Sequence, residues 1–198
     1  MRQTTIILIL FLFSVSTLKG QYDQRDKKWY IPNHTKVQFA GNIGFLSAGP
    51  GYLHGKGKLE TDLMLGFLPK SIGGDHIVSL TGKMTYSPWK TNLGEELTLI
   101  PFSIGPYLSY SFGSQFDTLL PNEYPKGYYW WATSLRFGAF IGGRLQMPLK
   151  SEQKVKGLDF YYELGTYDLE FLSYIQNTKY LSITDIFSLA LGVKLKLY

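Results

Sequence analysis

IFSLALGVKLKLY, residues 186–198, decides how this chain is read. Phe187, Leu189, Leu191, Val193 and Leu195 occupy alternate positions, Leu197 continues the series, and Lys194 and Lys196 fall between them. A period of two marks a strand with unlike faces, because successive side chains point to opposite sides. Two environments produce it: a soluble sheet with one buried face, or a strand with lipid on one side and a polar barrel interior on the other. The rest of the chain has to choose.

Working back from that end, the same alternation recurs. Residues 58–68, KLETDLMLGFL, set Leu59, Thr61, Leu63, Leu65 and Phe67 against Lys58, Glu60, Asp62, Met64 and Gly66, so that one face is thoroughly polar. Residues 35–47, TKVQFAGNIGFLS, set Val37, Phe39, Ile43 and Phe45 against Lys36, Gln38, Ala40 and Asn42, and predict one strand followed by a glycine-rich turn at Gly49–Gly57. Residues 76–86 alternate Val78, Leu80, Met84 and Tyr86 with Ser79, Thr81, Lys83 and Thr85. In 96–112, Ile100, Phe102, Ile104, Leu108, Tyr110 and Phe112 share a face, and Pro101 and Pro106 require a bulge or two shorter pieces, since proline donates nothing to a ladder. Residues 130–147 place Arg136 and Arg144 opposite Phe137 and Ile141, and 158–164 place Asp159 and Glu163 opposite Phe160 and Tyr162. DLEFLSYIQ, 168–176, is a weaker strand pattern.

The first twenty residues, MRQTTIILILFLFSVSTLKG, carry Arg2, an apolar run from Ile6 to Val15 and small or polar residues after it, the layout of a secretory signal peptide. Its apolar run is about half the roughly twenty residues a membrane-spanning helix needs. Cleavage is expected after Gly20, with Ser16 as second choice, followed by an extended lead-in over 21–34 and a barrel domain over 35–198. Loss of the signal removes two of the 20 basic residues, Arg2 and Lys19, and none of the 15 acids, leaving a net charge of +3. So mild a balance, on an exported chain, excludes nucleic acid as a partner. With no cysteine there is neither a disulfide framework nor a thiolate metal site. Fifteen Tyr, 13 Phe, 4 Trp and 21 Gly suit β-structure with aromatic residues at an interface. No later segment is apolar for long enough to cross a membrane as a helix, so a membrane location would require a closed barrel.

Seven segments alternate clearly, and an antiparallel barrel of this kind takes an even number of strands. Counting 168–176 gives eight, and that count puts the long connector 113–127 on the same side as the termini, the periplasmic side. An eight-stranded barrel is narrow enough for side chains to fill it. The polar faces would then form a lumen charge network of Lys58, Glu60, Asp62, Lys83, Arg136, Arg144, Asp159, Glu163, Lys194 and Lys196, six bases and four acids that neutralise one another. A lipocalin-like soluble barrel demands the reverse, an apolar interior and a charged exterior. The export signal, the uncharged apolar faces and the aromatic cluster Tyr128, Tyr129, Trp130 and Trp131 favour lipid outside, those rings together with Tyr198 serving as interfacial aromatics.

On these residues the chain resembles the small bacterial outer-membrane β-barrel proteins. The resemblance is one of architecture over the mature chain, without a diagnostic catalytic motif. It implies the outer membrane of a Gram-negative bacterium, contact with outer-membrane lipid, and a last strand read by the barrel-assembly machinery during insertion. Tyr198 matches the terminal aromatic of that signal, whereas Lys194 and Lys196 stand where apolar residues are expected.

Chemistry is sparse. Lipid A-modifying acyl hydrolases and acyltransferases need a histidine base beside a serine nucleophile, and none of His34, His54 and His76 has a serine two residues away on its own strand face. Gly55–Glu60, GKGKLE, lacks the spacing of a phosphate loop and reads as a hairpin turn. Asp62, Asp159 and Glu163 could hold a divalent cation if clustered, but they alternate with lysine and arginine, so ion pairs are the expectation, with no metal and no cofactor. The expected role is structural or interaction-based, with a filled polar lumen; lipid A modification and a narrow channel for small solutes are the alternatives.

Overall fold

Eight strands close into a ring in the computed structural model, which describes residues 30–94, 96–113, 116, 132–149 and 155–197. Contacts divide the chain into Met1–Ile31 and Pro32–Tyr198, and every strand lies in the second unit. The expected signal peptide and nearly all of the lead-in lie outside the described residues.

The strands are β1 (His34–Ala40), β2 (Leu46–His54), β3 (Leu59–Leu68), β4 (Ile77–Tyr86), the short β5 (Thr91–Leu93), β6 (Leu97–Phe112), β7 (Leu135–Pro148), β8 (Gly157–Tyr167) and β9 (Ser188–Lys196). Each is antiparallel to its neighbours in the order β1-β2-β3-β4-β6-β7-β8-β9, and β9 pairs with β1 to close the barrel. β5 stands outside the ring as a short hairpin partner of β6. The paired residues lead from His34 through Gly51, Asp62, Lys83, Tyr107, Gly138 and Tyr167, and the ring returns to β1 about ten positions from its start. An even stagger keeps inward side chains inward all the way round.

Two strand expectations are corrected, and their errors cancel in the count. Residues 35–47 form a hairpin and not one strand: Ala40 (φ 59°), Gly41 (φ 78°) and Gly44 (φ 140°) turn the chain, and Ile43, expected beside Val37 and Phe39, is buried inside. The glycine-rich stretch after it is β2, whose inner positions Ser47, Gly49 and Gly51 are small. A Cβ on Gly49 would lie 1.9 Å from the Leu63 carbonyl oxygen of β3, so close strand approach explains a glycine that resembles a turn signal. Asp168–Gln176, counted as a strand, is a helix between β8 and β9. With β2 restored, the connection after β6 leaves from the end opposite the start of β1, not from that end.

β6 is bulged. Its register to β7 shifts between Ile100 and Ser103, so both point inward, and Ile100 departs from the outward face assigned to it. Pro101 and Pro106 face outward.

The faces are inverted relative to a water-soluble barrel. Outward side chains from all eight strands are large, apolar and exposed, among them Val37, Leu46, Leu65, Leu80, Leu108, Ile141, Phe160 and Leu191. The strands of the ring hold ten Asp, Glu, Lys and Arg residues, and none of them lies on the outer face. No described helix is long and apolar enough to cross a membrane.

Candidate functional site

The interior has two storeys, set by which side chains the inward positions supply. Near the start of β1 and the end of β9, strands β1, β3, β7, β8 and β9 contribute long charged groups. Glu60 is fully buried on β3 and is the hub: its Oε1 accepts from Lys194 Nζ at 2.7 Å and forms an ion pair with Arg144 Nη1, and its Oε2 lies 3.1 Å from Lys36 Nζ. Lys36 also donates to Asp62 Oδ2 at 2.7 Å, and Asp62 Oδ1 is 2.7 Å from His34 Nε2. Asp159 accepts from Gln146 Nε2 at 3.1 Å and lies 3.1 Å from Lys196 Nζ and 3.6 Å from Lys194 Nζ. One level further in, Lys83 of β4 pairs with Glu163 of β8, donates to Gln38 Oε1 at 3.3 Å and stands 4.4 Å from the Phe140 ring centroid. Glu60 to Lys194 and Lys83 to Glu163 join strands that are not neighbours in the ring, so these pairs cross the lumen and brace opposite walls.

Burying charge is costly unless each group is paired. The deeply buried set is balanced, with Lys36, Lys83, Arg144 and Lys194 against Glu60, Asp62, Asp159 and Glu163. Space for this set comes from glycines on facing strands. A Cβ on Gly51 would lie 2.3 Å from His34 Nε2 and 2.2 Å from Asp62 Oδ1, and one on Gly192 would lie 2.2 Å from the Tyr161 ring, whose hydroxyl donates to Gln38 Oε1 at 3.3 Å. The voids left among these groups measure about 20 and 10 Å³, room for about one water each.

Toward the other end the interior turns apolar. Ile43, Met64, Tyr107 and Phe140 form a buried cluster with Tyr167 packed against it, and Tyr107 donates its hydroxyl to the Thr166 carbonyl at 3.0 Å. Beyond the cluster lies a cavity of about 310 Å³. The Asp168–Gln176 helix stands at this end, where Asn42 Nδ2 donates to Glu170 Oε2 at 3.3 Å and burial pushes the Glu170 carboxyl up from its ordinary value.

Of the ten charges expected in the lumen, Glu60, Asp62, Lys83, Arg144, Asp159, Glu163 and Lys194 are brought together in buried ion pairs, and Lys196 reaches Asp159 from the rim. Arg136 stands apart at the far mouth, 3.7 Å from Asp168. Lys58 is corrected: it is exposed in the turn where Gly55, Lys56 and Gly57 have positive φ, before β3 begins. Tyr128, Tyr129, Trp130, Trp131 and Tyr198 lie outside the described residues. Lys36, His34, Gln38 and Tyr161 were missed as members of the network. The signal for Lys36 is its alternation with Val37 and Phe39, obscured by its place close to the charged lead-in.

For chemistry, His34 and Asp62 are oriented as a base and its carboxylate, and the other ring nitrogen of His34 is buried without a hydrogen-bond partner. No histidine–serine hydrogen bond occurs among the described residues: His54 Nε2 meets Thr61 Oγ1 at 2.9 Å, and His76 stacks on Phe67. Asp62, Asp159 and Glu163 do not gather, each having its own base. His34, Glu60 and Asp62 do bring one ligand atom each within 4.8 Å of one another, with the Lys36 ammonium between the two carboxylates, so a metal ion would have to displace that lysine. Compared with protein-family models, curated proteins and solved structures, the chain matches none.

Proposed function

We infer that this chain is an outer-membrane β-barrel protein of structural or interaction type, exported with a cleaved signal over 1–20 and carrying a side-chain-filled polar lumen. The observation that carries the reading is the placement of charge: all ten charged residues of the ring strands lie off the outer face, and that face is apolar on every strand. In water this arrangement would expose a continuous apolar belt far larger than soluble monomers tolerate while burying eight charges inside. In lipid the apolar belt meets hydrocarbon and the charges, paired inside, are kept away from it. β3, ten residues long, would rise roughly 25 Å at the spacing and tilt usual for such strands, which matches the apolar band of outer-membrane barrels.

The start of β1, the end of β9 and the Gly55–Lys58 turn lie at one end, and the longest connections, after β6 and β8, leave from the other. The first end is assigned to the periplasm and the second to the exterior, following the usual asymmetry of loop lengths. The cross-braced lumen favours a scaffold whose outer loops bind over an open channel. Membrane fractionation, followed by electrophoresis with and without boiling, tests the reading. Recovery with the outer membrane and a mobility shift on boiling support it; recovery as a soluble protein would overturn it.

A further inference from the structure

We propose that the cavity at the far mouth is a binding site for a small uncharged amphipathic molecule, one with a compact apolar body and a carbonyl or similar hydrogen-bond acceptor. Among the described residues the lumen elsewhere is filled by long side chains, and the voids beside its ion pairs are water-sized. Here the inward positions are Ser79, Ser109 and Ser111, with Gly44 beside them, and about 310 Å³ stays open, at the small end of the range for ligand pockets. The serines near the floor are already engaged, Ser79 Oγ donating to the Ile43 carbonyl at 2.8 Å and Ser109 Oγ accepting from Thr81 at 2.9 Å, so the small wall is fixed rather than collapsed. Tyr107 and Ile43 make an apolar floor, continuous with the cluster that closes off the charged storey, and Tyr167 and Leu169 extend it. The packed ion pairs stop a ligand from continuing down the lumen, which makes this a pocket and not the start of a channel.

Beside this apolar floor, the polar side chains of Arg136, Ser111, Thr133 and Asn42 line the cavity. Arg136 spends one N–H on the Leu135 carbonyl at 3.2 Å and is 3.7 Å from Asp168, which leaves guanidinium donors for an acceptor on the ligand. Its charge is met by Asp168, and Glu170 approaches through Asn42. Among the described residues, Arg136 is the one charged side chain in the cavity lining, and Asp168 3.7 Å away offsets it, so the site favours a neutral acceptor over a ligand of either charge. The proposal does not depend on lipid outside the barrel, because the cavity is internal.

The test uses the folded full chain, labelled with nitrogen-15, in detergent or in buffer according to how it fractionates. Phenylacetamide, phenylacetate and phenethylamine share one apolar body and differ in charge. Saturable amide shifts centred on Ile43, Ser79, Tyr107 and Tyr167, with the amide binding about five-fold tighter than either ion, are expected, since an added charge beside the Arg136–Asp168 pair goes unmatched at a cost of at least about 1 kcal/mol. Arg136→Gln should weaken the amide by a similar factor, and Ser111→Phe, which fills the cavity, should abolish the shifts while the remaining strand signals stay in place. If Ser111→Phe does not fold, Thr133→Phe blocks the same space from the rim turn. Shifts confined to outward residues such as Leu63 and Leu191, shifts that survive the filling variant, or preference for either charged probe would each overturn the proposal.

Discussion

Glu60→Gln is the most informative perturbation of the interior. The substitution keeps the size and most of the hydrogen-bonding capacity of the side chain but leaves four deeply buried cations facing three carboxylates. Breaking a buried pair by removing one partner costs about 3–5 kcal/mol, because the other charge remains in a poor solvent. The geometry places this case near the low end. Lys36 keeps Asp62 at 2.7 Å, Lys194 keeps Asp159 at 3.6 Å and Arg144 keeps Asp159 at 3.9 Å, so no cation is left without a carboxylate. A loss of about 3 kcal/mol is therefore expected. Lys194→Met should cost a similar amount by leaving the acids in excess. Combining the two restores the balance, and the double variant should lose at least about 2 kcal/mol less than the sum of the single losses. Urea unfolding of vesicle-inserted protein, followed by tryptophan fluorescence and by the mobility of unboiled samples, measures all three. Additivity within about 0.5 kcal/mol, or a Glu60→Gln protein as stable as its parent, would refute the view that the interior is held by charge balance.

Other outcomes follow from the same geometry. Leu65 on the outer face and Ile72 in the turn after β3 are both 57 % exposed; Leu65→Lys should cost about 2–4 kcal/mol in vesicles and Ile72→Lys almost nothing, whereas equal small effects would remove the case for lipid around β3. Gly51→Ala should displace the His34–Asp62 contact and cost about 2 kcal/mol, seen as a lower urea midpoint, because its Cβ would enter the space of both side chains. Glu170 has a carboxyl pKa raised by burial, so the folded state holds its proton more tightly than the unfolded chain does. Its contribution is fully present below the ordinary carboxylate pKa and is lost as pH rises through the raised value. The difference in urea midpoint between parent and Glu170→Gln should change across that window and be flat above it; a constant difference would show that burial does not govern this group.

The alternation of apolar and charged residues in β3, β4, β8 and β9 is a local property, legible from residues such as Leu63 and Asp62 alone, because neighbouring side chains of an extended chain must face opposite ways. It settled which side chains share a face and that the chain is an antiparallel β protein. It could not locate the turn between β1 and β2, since Ile43 and Phe45 continue the parity of Val37 and Phe39 across residues of positive φ. Nor could it recognise β2, whose inner glycines are dictated by the backbone of β3, or exclude a strand at Asp168–Gln176 without the hairpin that completes the ring. Which carboxylate meets which ammonium was out of reach for the same reason. Glu60 and Lys194 are 134 residues apart and become neighbours only when the ring closes, because a pairing across a lumen is fixed by stagger and curvature, and neither is written in the period of a single strand.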